Sequence, residues 1–312
     1  MQLSTPVTIE PLSRPFGYES QILTIGSCFA DSIAGKLKDA FFRITANPFG
    51  TQYNPMSIAQ CIDILSMEDT EKQQATMLNS LFEHGGLWHS WLLHGSFSST
   101  QKQAVEEAII DALQKGSKAV KASEVVIITF GSAYIYEFEG RVVSNCHKVP
   151  ARCFERRRLS IEEIVCTYRQ MFSQPLWQSK TVILTVSPIR HLKDGLHDNQ
   201  LSKATLLLAT NQLVESFQNV HYFPSYEVML DELRDYRFYD NDLLHPSSLA
   251  VELIWEKFCK YAFSPDTQVQ VDKYLQLSRD LLHHPLHPDT LEAQQFQQRL
   301  QEKLQEAKKN LR

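Results

Sequence analysis

The chain has 312 residues, of which 43% are apolar, 21% charged and 10% aromatic, and its formal net charge is −5. That much apolar material excludes a disordered chain, and 11 Gly with 13 Pro exclude collagen-like and low-complexity classes. The acidic balance offers nothing to a nucleic-acid partner, and no apolar window approaches the length of a membrane span.

Short β-rich runs alternate with longer helical stretches, a pattern that predicts βαβ units and a mainly parallel sheet. The first strand is expected over residues 21–25. It breaks at Gly26-Ser27-Cys28, and a helix follows over 29–40. A second strand, 41–46, ends at Asn47-Pro48-Phe49-Gly50, and Pro55 opens a helix to about Met67 because proline suits a first helical turn. Residues 78–100 differ. Gly85-Gly86, Trp88, Trp91, His84, His89 and His94 sit there with weak periodicity, which reads as an inserted, lid-like segment. An amphipathic helix is expected over 101–122, followed by the almost wholly apolar strand 124–130 of a sheet covered on both faces. Residues 134–138 and 141–144 read as a hairpin around Glu139-Gly140, and Ser160-x-x-Glu163 as a capping box. The run 181–186 is the next buried strand, 201–217 a helix, 220–223 a short strand and 246–263 the last helix of the body.

Beyond Ser264-Pro265 the composition turns to Gln, His and charged residues. The domain is therefore drawn at 1–264, with a helical extension at 265–312 that packs on the body, or secondarily serves as a partner-binding coil. The six cysteines are scattered without a CxxC pair, and the opening residues have no cationic start followed by an apolar core. The expectation is free thiols in a cytoplasmic protein with no membrane association.

Two regions carry the candidate chemistry. Ser27 stands at the first strand-to-helix turn, on the sheet edge where open α/β folds bind ligands and at a helix N-terminus that favours negative charge. It serves there either as a cap or as a nucleophile with its own N–H in an oxyanion hole. Far along the chain, Asp242-x-x-His245 lets one loop present a carboxylate and the imidazole it orients, the pairing a serine nucleophile needs. Cys28 is the other candidate nucleophile, since a helix N-terminus lowers a thiol's pKa. Adjacent side chains diverge at such a turn, however, so packing is its expected role. The loop Arg190, His191, Lys193 and Asp194, with Lys148 and Arg152, forms either a solvated edge or a cationic rim for an acidic or polyhydroxylated substrate. His147 and His191 follow strand-end turns and are pocket candidates. Trp88 and Trp91 either stack on a sugar or simply pack. The histidine spacings fit no metal-ligand pattern, so neither metal nor cofactor is expected.

Gly26-Ser27-Cys28-Phe29-Ala30 spells the signature of the GSCFA family, which resembles the SGNH/GDSL hydrolases. The blocks Asn47-Pro48-Phe49-Gly50, Asn145-Cys146-His147-Lys148, Ser187-Pro188-Ile189-Arg190-His191 and Arg234-Asp235-Tyr236-Arg237 extend the likeness over roughly residues 20–260. The resemblance implies a flavodoxin-like α/β/α fold and serine-dependent hydrolysis or transfer of an acyl ester, with a small molecule or an O-acylated carbohydrate as substrate. A binding module that keeps the fold is the remaining alternative. Carried over by position, Ser27 matches the nucleophile, Asp242 and His245 the dyad, and Gly50 the glycine that donates to the oxyanion. The asparagine expected after the third strand is absent, because Gly131-Ser132-Ala133 stands there. Asn145, or failing it Asn47, is the expected substitute.

Overall fold

The most apolar runs of the chain become its central sheet. The computed structural model describes residues 5–193, 195–283, 287 and 289–311. In chain order, β1 (Gln21–Gly26) leads into α1 (Cys28–Asp39), and β2 (Arg43–Ala46) into α2 (Pro55–Ser66) and α3 (Thr70–Leu78). The hairpin β3 (Leu81–His84) and β4 (Leu87–Ser90) precedes α4 (Lys102–Ala122) and β5 (Val125–Phe130). Then come β6 (Tyr134–Phe138), β7 (Arg141–Val143), β8 (Glu155–Arg158), α5 (Ile161–Phe172) and α6 (Pro175–Gln178). β9 (Thr181–Val186), α7 (Leu196–Ser216), β10 (Val220–Tyr222) and the single turn α8 (Ser225–Glu227) follow. α9 (Ser248–Ala262), α10 (Pro265–Leu282) and α11 (Leu291–Asn310) end the chain.

The main sheet has the order β10-β9-β5-β1-β2, and every pairing in it is parallel. Strand alternation feeds two cores. Leu23, Ile25, Val126, Ile128, Val182 and Leu184 face α2, α4, α5 and α7, while Ile22, Val125, Ile127 and Ile183 face α1, α9 and the C-terminal helices. This is a three-layer α/β/α body in the flavodoxin-like order, in which the winding of the chain across the sheet reverses between β1 and β5. Ligands bind such sheets beyond the C-terminal strand ends at that reversal. Cys28 and Gly131 stand there.

Three features depart from the sequence reading. Residues 78–100 contain the β3–β4 hairpin, which packs into the body rather than covering a site. Trp91 stacks on Phe82 at 3.7 Å and on Phe138 at 4.7 Å, and Leu93 is fully buried. A separate three-stranded antiparallel sheet, β7-β6-β8, stands beside the main one, and its strand β8 was not anticipated. α3 was not anticipated either. The extension from residue 265 shares the body's second core: Tyr274 meets Tyr18 edge-on at 5.3 Å, and Leu277 and Leu300 join the cluster that holds Phe42 and Phe263. No helix among the described residues is long and apolar enough to cross a membrane.

Candidate active site

β1 hands over to α1 within two residues. Gly26 donates its N–H to Asn47 Oδ1 (2.8 Å), and Ser27 donates its own to Thr129 O on β5 (3.1 Å). Ser27 is the N-cap residue by backbone conformation but makes no side-chain cap bond. Its side chain is 1% exposed, and Oγ is buried with no hydrogen-bond partner. Cys28 is the first helical residue, and its side chain turns toward the loop that precedes α9.

That loop is locked by its own polar groups. Asp242 Oδ1 accepts from the N–H groups of Leu244 (2.8 Å) and His245 (3.0 Å), and Oδ2 accepts from His245 Nδ1 at 2.5 Å. These bonds hold the carboxyl down at about 2, the backbone donors first and the imidazole next. Arg190 supports the loop from outside: its Nη2 donates to Leu243 O, and its guanidinium lies 4.2 Å from the Tyr239 ring centre. With Nδ1–H committed to Asp242, His245 presents Nε2, and Nε2 lies 3.9 Å from Cys28 Sγ. The expected meeting of Ser27 and His245 is therefore not formed. The hydroxyl is enclosed between β1 and the Gly131 loop, and the thiol occupies the position facing the imidazole. Burial pushes the Cys28 thiol above its ordinary value, while the backbone N–H groups of Cys28 and Phe29 and the Lys203 ammonium pull the other way.

Cys28 and His245 open onto a cleft of about 470 Å³, walled by Tyr134, Tyr136 and Arg156 of the small sheet, by Asn145, and by residues 189–193. The remaining sequence candidates divide. Asn145, Arg190 and His191 line the cleft. Gly50, Asn47 and His147 do not. Gly50 spends its N–H on Asn47 O (2.7 Å) in a turn. Asn47 bridges Gly26 N and Asp31 Oδ1, fixing the β1–α1 handover rather than meeting a ligand. His147 donates through Nε2 to Ser90 O (2.8 Å), inside the packing of the β3–β4 hairpin. Gly131 sits behind Ser27 with its N–H on Tyr53 O, so it too is no free donor. Near Cys28, the Cys28 and Phe29 N–H groups stand at the start of α1, Ala30 N–H being spent on Ser27 O (2.7 Å), and the Asn145 side chain faces them across the cleft with its Oδ1 held by His147 N. Asp194, read with the cationic rim, lies outside the described residues.

One functional neighbour escaped the sequence reading. Lys203 of α7 is fully buried, and its Nζ donates to Gly131 O and Ser187 O at 2.7 Å each, tying together the loops after β5 and β9. Burial pushes it down to about 7. A signal existed, since Lys203 falls in the helical register of buried Asn199, Leu206 and Thr210. A lysine on the inner stripe needs an interior reason.

Residues 21–258 match the model of the GSCFA family. The chain belongs to the GSCFA family. A comparison with curated proteins finds no match. The GSCFA match covers both halves of the cleft, Cys28 on one side and the Asp242–His245 loop on the other.

Acid stability follows from two buried imidazoles of this GSCFA chain. Burial lowers His147 and His191 from 6.5 to about 4, with the Lys203 charge adding to the effect at His191. The unfolded chain takes up both protons as pH falls through 6.5, whereas the folded chain refuses them until about 4. Stability is thus complete above that window and declines within it. At about 1.4 kcal/mol per pH unit per group, each histidine costs on the order of 2–3 kcal/mol by the lower limit. Urea midpoints measured across this range should fall, and His147→Gln, which keeps a donor for Ser90 O, should flatten the fall. Parallel curves for the two proteins would refute the assignment.

Proposed function

We propose that this chain hydrolyses acyl esters, or passes the acyl group to an acceptor alcohol, with Cys28 as nucleophile, His245 as base and Asp242 as the group that orients the base. The observation that carries the reading is the 3.9 Å approach of Sγ to Nε2 while Nδ1 is held by a carboxylate. His245 takes the thiol proton as sulfur attacks the ester carbonyl. The C–O bond of the collapsing adduct breaks, and the imidazolium returns its proton to the departing alkoxide. A thioester on Cys28 remains. Water, deprotonated by His245, then releases the acid and restores the thiol. An acceptor alcohol in place of that water gives transfer. Small esters and O-acylated carbohydrates are the substrate class. Burial pushes the Cys28 thiol up, which suits a His245 that works as in a serine enzyme, by removing a proton during attack rather than by storing a preformed thiolate.

A second reading, a binding module that keeps the fold, draws on the occupied N–H groups of Gly50 and Gly131 and on Ala133 standing where an asparagine donor was expected. One experiment separates the two. After incubation with 4-nitrophenyl acetate and an acid quench, peptide mapping should find the acetyl group on Cys28, removable by neutral hydroxylamine as a thioester is. Acetylation of Ser27 would transfer the role to the hydroxyl, and folded protein that never acylates would favour the binding module.

A further inference from the structure

The inner face of α7 carries polar side chains where a buried helix face ordinarily carries apolar ones. Asn199, Ser202 and Lys203 stand at i, i+3 and i+4, and all three are buried. Each is spent on a loop of the cleft. Asn199 Oδ1 accepts from His191 N (3.0 Å), Ser202 Oγ accepts from Ala133 N (2.8 Å), and Lys203 Nζ donates to Gly131 O and Ser187 O (2.7 Å each). Ser132 and residues 189–193 of these loops line the cleft. Asn199 and Ser202 make their ties with neutral groups, and Lys203 alone of the three brings a charge. A buried ammonium is unfavourable unless a negative group answers it. Among the described residues its partners are the two carbonyls and the Tyr226 ring, 5.7 Å away, none of which carries a full negative charge. The loop it holds lies directly behind the Ser27–Cys28 turn, where a Cβ on Gly131 would stand 3.1 Å from Ser27 Cβ. The influence between the two groups is mutual. Burial pushes the Cys28 thiol up and the Lys203 charge pulls it down; burial pushes Lys203 down to about 7 and Cys28 pulls it up. The other groups facing the thiol are His245 Nε2 at 3.9 Å, Tyr53, and Asp31 of its own helix, which opposes the lysine. His191, the other titratable neighbour of the ammonium, is held at about 4 and stays neutral.

From these observations we infer that Lys203 is a positioning residue for Cys28: its ammonium, fixed between Gly131 O and Ser187 O behind the Ser27–Cys28 turn, stabilises negative charge on the sulfur. When His245 Nε2 takes the thiol proton, the sulfur becomes negative and the imidazole positive. The lysine charge is already in place and needs no reorganisation at that moment, and the interior screens it far less than water would. A neutral donor at this position would tie the same two loops but would give the sulfur nothing. The inference rests on the reading of Cys28 as nucleophile and adds the group that favours its charged form.

Peptide-resolved alkylation of Cys28 by iodoacetamide tests this without an ester substrate, because the reagent reads the thiolate. Lys203→Met, which fills the space without charge, should react about 10-fold more slowly than the parent near about pH 7 and should catch up near about pH 10. Lys203→Gln keeps a donor for the carbonyls and should be as slow as Lys203→Met, whereas Lys203→Arg keeps the charge and should stay within about 2-fold of the parent. Melting curves identify which variants are folded and can be read. The unmutated protein gives a second reading: capping Cys28 with iodoacetamide removes the thiolate, so the buried ammonium should lose its proton at a lower pH, followed by NMR of isotope-labelled lysines. Equal rates near about pH 7 for the parent and a folded neutral variant, a change of rate that is the same at every pH, or an ammonium indifferent to the capping of Cys28 would overturn the inference and leave Lys203 only its tie between two loops. Alkylation that depends on Lys203 in protein that never acylates would keep this role and reject only the hydrolase reading.

Discussion

Cys28→Ala should lower kcat/KM for an activated ester by at least about 10³-fold, while Ser27→Ala should stay within a few-fold of the parent. Neighbouring residues with similar chemistry diverge here because one belongs to the end of a strand and the next to the first turn of a helix. Ser27 keeps extended backbone, and its Oγ is buried with nothing to bond, so replacing it by alanine removes an unsatisfied hydroxyl. Its stability should be unchanged or raised by about 1 kcal/mol. Cys28 faces Nε2 of an imidazole whose other nitrogen is anchored. His245→Ala should cost about as much as Cys28→Ala, and the double variant little more, because the two act as a unit. Asp242→Asn leaves a side chain of the same shape but can donate to Nδ1, which favours the wrong tautomer and should cost on the order of 10²–10⁴-fold. Thermal melts must accompany the rates, since Asp242 also accepts two backbone N–H groups that hold its loop. If Ser27→Ala proves as damaging as Cys28→Ala was expected to be, and Cys28→Ala proves silent, the assignment of the nucleophile is reversed.

The fold was legible where burial leaves a uniform trace. β5 and β9 are apolar on both faces because helices cover both, so their runs stand out, and the alternation of runs gives the parallel sheet. β8 left no such trace. Its Glu155–Arg158 segment is exposed throughout, and it is a strand only because β6 offers it backbone partners. α3 was hidden for a related reason, since only Gln73 and Met77 of its nine residues are buried. At the site, Asp242-x-x-His245 was readable because a short loop contains both groups and their geometry is local. Which of Ser27 and Cys28 meets His245 was not, because that depends on the rotation between β1 and α1, set by Asn47 and Gln52 of the loop after β2 and by Thr129 of β5. The glycine donors failed for the same reason. A sequence shows that Gly50 and Gly131 have N–H groups, but not that Asn47 O and Tyr53 O already accept them.

The same handover makes Gly26 the position where one methyl group should do the most damage. Its φ is +150°, and a Cβ built there would lie 2.2 Å from Thr129 O and 2.8 Å from Thr129 N. Both are backbone atoms of the adjacent strand, so no side-chain rotation relieves the contact. β1 and β5 pair through Gly26 and Thr129, and Thr129 O also receives the Ser27 N–H. Gly26→Ala must therefore either push apart two central strands of the sheet or twist the backbone out of a conformation alanine resists. A loss of about 4 kcal/mol or more is expected from urea unfolding, among the largest that a single methyl produces. Gly35 supplies the contrast. It lies in the middle of α1, and a Cβ there meets nothing within 4 Å, so Gly35→Ala should add about 0.5–1 kcal/mol through helix propensity alone. Even at low temperature, where Gly26→Ala remains folded, displacement of β1 should carry Cys28 away from His245, and iodoacetamide should then alkylate Cys28 at a changed rate. Unaltered stability together with an unaltered alkylation rate would mean that the close approach of Gly26 to Thr129 does not hold the thiol in place.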